Sequence, residues 1–171
     1  ISSNLSLDME INARIGKAAT VMAKLNKRIW QNINLTMNTR LKVYQACVTS
    51  ILLYGSETWT PYARQKAKLN SFHLRCFKRI LGITWQDRIP NTTVLVKAKV
   101  SSIHALLSQR CLRWLGHICR MGKGRIPKDL LYGELKKSTR KTGCPFLRIK
   151  DVCKTDTKSA AIDIESWELM V

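Results

Sequence analysis

The chain has 171 residues, of which 45% are hydrophobic, and 30 Lys and Arg against 11 Asp and Glu give a formal net charge of +19. This apolar content is sufficient for a folded core and argues against a largely disordered chain. The longest apolar runs, such as residues 51–54, are far shorter than the roughly 18 residues that a membrane-spanning helix needs. The excess positive charge therefore predicts a polyanionic partner, for which nucleic acid is a better candidate than a membrane surface.

Helical periodicity predicts two helices in the first third of the chain. In the first, apolar residues recur at three- and four-residue steps from Ile11 to Ile29. The two acidic residues that precede this pattern suit the N-terminal turn of a helix. The second is expected to begin near Thr36 or Asn38, either of which can act as an N-cap, and to end at Gly55. Its predicted buried residues are Leu41, Tyr44, Cys47, Val48, Ile51 and Leu52.

The third predicted helix covers residues 63–81 and is amphipathic. Its apolar side on a helical wheel consists of Leu69, Phe72, Cys76, Phe77 and Ile80. The opposite side, which we call the cationic ridge, consists of Arg64, Lys68, Arg75, Lys78 and Arg79. The ridge would extend over about four turns, and Gly82 is expected to end the helix. Three helices joined by short loops predict a compact antiparallel bundle.

A break at residues 82–90 separates this bundle from a predicted smaller helical module. Its expected helices cover residues 91–99, 101–121, 127–132 and 145–160. The second of these is capped by Ser101 or Ser102, and Pro145 can occupy the first position of the last. Between the last two, residues 136–143 are expected to form a polar, basic loop.

The positive charge is concentrated in this second half. Residues 88–150 contain fifteen Lys and Arg, opposed only by Asp129 and Glu134, which leaves a net charge of +13. An acidic tail follows, and a basic segment with an acidic tail is a common layout for proteins that bind polyanions. The candidate phosphate contacts in this half are Arg110, Arg113, Arg120, Lys123 and Arg125.

The stretch LRWLGHICRM, preceded by Cys111, raises the question of a metal site. On a helix, His117 lies about 120° from Cys111 and about 160° from Cys119, and the two cysteines are about 12 Å apart along the axis. Zinc holds its ligands at about 2.0–2.3 Å, so one helix cannot present all three to one ion. We therefore interpret Cys111 as a small buried residue and Trp114 as part of the core, and we expect no metal site.

Motifs of catalysis are missing from the sequence. It contains no P-loop and no G-x-S-x-G motif, and its acidic residues are too scattered to hold a pair of metal ions. We expect no catalytic residue and no cofactor in this chain. The six cysteines include no C-x-x-C pair, and no signal peptide is recognisable, so we expect reduced thiols and a location in the nucleus or cytoplasm. Because the chain begins with Ile1, we also expect it to be part of a longer protein.

Six segments occur in a distinctive order: INARIGKAATVMAKLNKRIW, LKVYQACVTSILLYGSETWT, LNSFHLRCFKRILGITWQDRIPN, RCLRWLGHICRM, RIPKDLLYGEL and LRIKDVCK. In order and spacing, over about residues 1–168, they resemble the region that follows the polymerase palm in non-LTR (LINE-type) retrotransposon reverse transcriptases. The chain departs from that family at STRKTGCPF, where relatives tend to carry an Arg/Gly/Pro-rich stretch.

The resemblance implies a parent protein that joins a nicking endonuclease to an RNA-directed DNA polymerase and acts in target-primed reverse transcription. The Tyr-x-Asp-Asp type motif of the palm is not in this sequence, and the Mg²⁺ that the parent polymerase is expected to use would lie outside this chain. Residues 8–82 resemble the thumb, a helical bundle that grips the template–primer duplex, and a basic connector follows it.

Together these observations predict an all-α protein, with a three-helix thumb-like bundle at residues 1–82 and a smaller basic helical module with an acidic tail at residues 83–171. We expect it to bind the backbone of RNA, an RNA–DNA hybrid or DNA, alongside the palm and endonuclease of the parent and with no membrane partner. The alternative is a structural scaffold that packs against the palm and has no binding role of its own. That alternative predicts exposed apolar surface at Leu52, Leu53 and Trp59.

Overall fold

The computed structural model describes residues 7–122, 124–132 and 148–159, and within these ranges it contains helices and turns but no β-strand. The α-helices are α1 (Asp8–Lys24), α2 (Met37–Val43), α3 (Ser50–Leu52), α4 (Ala63–Leu81), α5 (Asn91–Ala98), α6 (Ile103–Cys119), α7 (Ile126–Tyr132) and α8 (Ile149–Ser159). The predicted all-α class is confirmed. None of the described helices is both long and apolar enough to cross a membrane.

Two segments of wider, π-helical winding depart from the predicted regular helices. Asn26–Trp30 extends α1, and Tyr44–Thr49 joins α2 to α3, so that residues 37–52 form one continuous helix. A π-helical turn holds more residues than an α-helical one, which changes the direction in which successive side chains point. Cys47 is exposed, because it lies roughly a quarter of a turn away from the fully buried Val48. The prediction that Cys47 is buried was wrong.

The chain divides into two compact units, Ile1–Gly55 with Pro61–Leu106, and Ser56–Thr60 with Leu107–Val171. In the first unit, α1, the helix of residues 37–52 and α4 pack against one another, and α5 packs against α4. The domain boundary expected after residue 82 stays a prediction.

The core of the first unit comes from the apolar faces of these helices. Its fully or almost fully buried side chains include Ile11, Ala18, Met22, Trp30, Tyr44, Val48, Leu52, Leu53, Leu69, Phe77, Ile80 and Val94. The burial of Leu52 and Leu53 contradicts the exposure that the scaffold alternative predicts for them, and Trp59, in the second unit, is buried as well. These three side chains are therefore covered by other residues of the same chain.

The second unit has a small core between α6 and α8. Cys111, Leu115, Val152 and Cys153 form it, and Cys119, Leu131 and Ile149 pack against its edge. The predicted start of the last helix at Pro145, the predicted basic loop at residues 136–143 and the end near Ala160 lie outside the described residues. Within them, the helix begins at Ile149.

Two predicted helix ends are confirmed, and they explain where the long helices start and stop. The Thr36 hydroxyl accepts a hydrogen bond from the Thr39 backbone N–H (3.3 Å) and caps α2. Gly82 follows α4 with a left-handed backbone (φ 68°), which glycine adopts without the steric cost that a Cβ atom adds.

Gly82 and Gly16 provide a matched pair of glycine-to-alanine substitutions with opposite expected signs. We expect Gly82→Ala to lower the free energy of unfolding by about 1 kcal/mol, because alanine is strained at positive φ. Gly16 lies inside α1, and a Cβ there meets nothing within 4 Å. We therefore expect Gly16→Ala to raise stability by up to about 1 kcal/mol. Urea unfolding followed by circular dichroism measures both, and equal signs would contradict the assignment.

Candidate nucleic-acid interface

Helix α4 carries the cationic ridge along its outer face. Its polar side stays at the surface because the opposite side is the buried face that contains Leu69, Phe77 and Ile80. Of the five ridge residues, Arg64, Lys68, Arg75 and Arg79 are exposed, and Lys78 is half-buried. From Arg64 to Arg79 the ridge spans about 22 Å along the helix axis. That length matches about six phosphates of one nucleic-acid strand.

Three ridge side chains are hydrogen-bonded to the neighbouring helix. The first contact is an ion pair in which Arg64 Nη2 donates to Asp8 Oδ2 over 3.1 Å. The other two are hydrogen bonds to amide oxygens: Lys68 Nζ to Asn12 Oδ1, and Arg79 Nη2 to Asn26 Oδ1 (3.1 Å). Since residue numbers rise together along both helices, α1 and α4 run parallel, as the first and third helices of an up-down-up bundle do.

These contacts orient the ridge but leave most of its charge uncompensated. Of the three acceptors in these contacts, Asn12 and Asn26 are neutral amides and Asp8 carries a negative charge. The Arg64 side chain is 84% exposed, and ion pairs at such exposure contribute little. A phosphate could therefore displace them at small cost.

The surface of α1 beside the ridge is made of small side chains. Gly16, Ala19 and Ala23 are exposed and lie within about 40° of Asn12 on the helical wheel. A Cβ built at Gly16 meets no atom within 4 Å. A bulky polymer backbone lying along the ridge would meet these small side chains on this flank.

The candidate residues of the second unit are not all equally available. Arg113, Arg120 and Arg125 are exposed. Arg110 is half-buried, and its Nη1 donates to Glu57 Oε1 over 3.1 Å. Lys123 lies outside the described residues. The phosphate contacts of all ten candidate residues stay predictions.

The stretch LRWLGHICRM forms part of the packed helix α6. Cys111 is buried, as expected, and its Sγ lies 3.2 Å from that of Cys153. The hydrogen bond with this second thiol, together with burial, raises the pKa of Cys111. His117 is exposed, and Trp114, expected in the core, is only half-buried. Among the residues that the structure describes, no three His, Cys, Asp or Glu side chains form a group that could hold a metal ion.

A buried Tyr44–His73 pair was not anticipated from the sequence. His73 Nδ1 lies 2.9 Å from Tyr44 Oη, and its Nε2 lies 3.4 Å from the Ser101 carbonyl. The carbonyl can only accept, so Nε2 carries the proton and Tyr44 donates to Nδ1. Burial lowers the pKa of His73 to about 4, partly opposed by the bond to Ser101. The imidazole is therefore neutral at pH 7.

Comparison with known proteins gives one informative similarity. The chain is 24% identical over 141 residues to a transposon-derived protein of Caenorhabditis elegans, a match that covers 73% of this chain and 49% of that protein. The chain thus spans about half the length of the curated relative. No protein-family model matches the chain, and no solved structure matches it. The similarity supports a transposon-related origin.

Proposed function

We propose that the chain is the thumb and basic connector of a LINE-type reverse transcriptase and that its cationic ridge binds the sugar–phosphate backbone of an RNA–DNA template–primer. The observation that carries this proposal is the exposure of four ridge cations on one face of α4, over about 22 Å. The transposon-derived relative and the order of the sequence segments support the same origin.

Backbone binding needs no base-specific contacts, and the ridge has the properties that this mode requires. Lys and Arg neutralise phosphates and release condensed counterions, which gives sequence-tolerant affinity that falls with salt. The contacts of the ridge with α1 are weak enough for a phosphate to replace them, because two of them go to neutral amides and the Arg64–Asp8 pair is highly exposed. In the proposed parent protein, the palm supplies the Mg²⁺-dependent polymerase chemistry and the endonuclease the nick, and the chain works inside the cell beside both.

The proposal is tested by binding the purified chain to labelled single-stranded RNA, RNA–DNA hybrid and duplex DNA across a salt series. We expect the affinity to fall steeply with salt, with a slope near −0.9 per phosphate contact on duplex DNA. A preference for the hybrid supports the thumb role. Weak binding that ignores salt contradicts it and favours the scaffold alternative.

The ridge itself is tested by reversing two of its charges. We expect Arg75→Glu with Arg79→Glu to weaken hybrid binding about tenfold or more and to reduce the salt slope by about 2, because two phosphate contacts become repulsive. The matched control is Lys42→Glu with Lys97→Glu, which changes the net charge equally at exposed positions outside the ridge. Equal losses in both double variants would show that only net charge matters, and unchanged affinity in the first would remove the ridge from the interface. Circular dichroism checks that helicity is retained.

The scaffold alternative keeps one supporting observation. Several large apolar side chains are exposed in the first unit, although not the ones expected: Ile33 is 90% exposed and Trp85 86%. These side chains could pack against another part of the parent protein. Under this alternative the chain binds a hydrophobic dye, and the salt series shows no phosphate contacts.

A further inference from the structure

A groove lies between α1 and the end of the helix formed by residues 37–52, within the first unit. It is lined by Arg14, Lys17, Thr20, Val21, Ser50, Ile51 and Tyr54. Its chemistry is mixed: two cations, two aliphatic hydroxyls, two apolar side chains and one tyrosine line it. None of these residues belongs to the cationic ridge.

The aromatic ring is held in place on one face and open to solvent elsewhere. The Arg14 guanidinium lies 4.6 Å from the centroid of the Tyr54 ring. Arg14 Nε also donates to Glu10 Oε1 over 2.7 Å, and the Arg14 side chain is only 19% exposed. Tyr54 is nevertheless 65% exposed, so its other face is available to a planar partner. A tyrosine that is fixed by a cation and exposed on one face is suited to stacking on a nucleobase.

The charges and hydroxyls around the ring suit the remaining parts of a nucleotide. Glu10 offsets the charge of Arg14, so the exposed Lys17 is the better cation of the groove for a phosphate. The hydroxyls of Thr20 and Ser50 donate their hydrogens to the backbone carbonyls of Gly16 (3.0 Å) and Ala46. Their oxygens can therefore only accept, which fits the amino groups of a base better than its carbonyls.

We infer that this groove is a second nucleic-acid site, which holds one nucleotide of single-stranded RNA or DNA, with the base stacked on Tyr54 and a phosphate beside Lys17. The inference rests on the proposed function, because it assumes that nucleic acid is the partner of this chain. It adds a site for an unpaired strand to a ridge that we assign to a duplex backbone.

The site is tested with the whole chain and a single-stranded RNA of about ten nucleotides that carries one 2-aminopurine, whose fluorescence is quenched by stacking. We expect quenching on binding. We expect Tyr54→Leu, which keeps an apolar side chain but no aromatic face, to abolish the quenching and to weaken binding about tenfold. Tyr54→Phe should retain both. Lys17→Gln should reduce the salt slope by about 0.7.

Matched controls separate this site from general effects. Tyr62 is also exposed but lies outside the groove, and Lys42 is an exposed lysine elsewhere on the unit. Tyr62→Leu and Lys42→Gln should leave quenching and affinity unchanged. Adenosine monophosphate serves as a further probe: competition at similar concentration means that the groove accepts a free nucleotide, and no competition means that it requires a strand.

The proposal for the groove and the proposal for the ridge can be overturned independently of each other. Hybrid binding that depends on Arg75 and Arg79, together with quenching that is indifferent to Tyr54→Leu, would overturn the groove site and leave the proposed function intact. Quenching that depends on Tyr54, with hybrid binding indifferent to the ridge, would uphold the groove and overturn the ridge. A chain that binds no nucleic acid overturns both, and capture of a protein segment by the groove would then be the remaining explanation.

Discussion

Replacing Phe77 with alanine is expected to lower the free energy of unfolding by about 3–5 kcal/mol. Phe77 is fully buried, and its ring centroid lies 4.7 Å from that of Tyr44 and 4.4 Å from that of His73. The substitution removes this three-ring contact and leaves a cavity where α4 meets the helix of residues 37–52. Small domains are stable by only about 5–15 kcal/mol, so the loss is a large share of the total. Urea unfolding followed by far-ultraviolet circular dichroism measures it.

Phe72 provides the matched control for this experiment. It lies on the same helix and was also predicted to be buried, but it is only half-buried. We expect Phe72→Ala to cost about 1–2 kcal/mol, since less apolar area returns to water. Should Phe77→Ala fail to fold, Phe77→Leu gives a graded test with a loss of about 1.5 kcal/mol or less. Equal losses at positions 72 and 77 would contradict the central place given to Phe77.

Acidification is expected to destabilise the first unit through His73. Its pKa of about 4 in the folded chain lies below the ordinary value of 6.5, because burial disfavours the charged imidazolium. Between these two values the unfolded chain binds more protons, so stability rises with pH across this window. With respect to His73, the free energy of unfolding reaches its full value above about pH 6.5. It falls by about 3 kcal/mol as the pH is lowered to 4. Urea unfolding at pH 7 and at pH 4 measures the difference.

The role of His73 is isolated by a substitution that keeps a hydrogen-bonding side chain but cannot take up a proton. We expect His73→Gln to reduce the loss of stability between pH 7 and pH 4 by about 3 kcal/mol relative to the unsubstituted chain. His104 is exposed and serves as the control. His104→Gln should leave the pH dependence as it was. A His73→Gln chain that loses as much stability on acidification as the original would show that carboxylates or overall charge dominate instead.

The amphipathic pattern of the sequence predicted the limits of α4 and the burial of Leu69, Cys76, Phe77 and Ile80, but it was wrong for Phe72, which is only half-buried. Apolar residues at three- and four-residue steps and a glycine after Leu81 are local signals, and a helix needs little else to be recognised. The same reasoning predicted the Thr36 cap and the burial of Cys111. It was wrong for Cys47, which lies roughly a quarter of a turn from Val48 and so at the edge of the apolar pattern.

Contacts between residues that are distant in the chain could not be predicted from the sequence. The pairs Arg64–Asp8 and Arg79–Asn26 join residues more than fifty positions apart and depend on the parallel course of α1 and α4. The Tyr44–His73 pair depends likewise on two buried faces meeting in one register.

The sequence by itself determined the helical class of this protein, the limits of its longest helices and the position of its positive charge, because propensity, capping and periodicity act over a few residues. Only the tertiary structure decided which cations are held against α1, that Arg110 is paired with Glu57, and that Arg14 covers one face of Tyr54. These depend on the register in which apolar faces pack, and packing is set by the complementary shapes of all the buried side chains together.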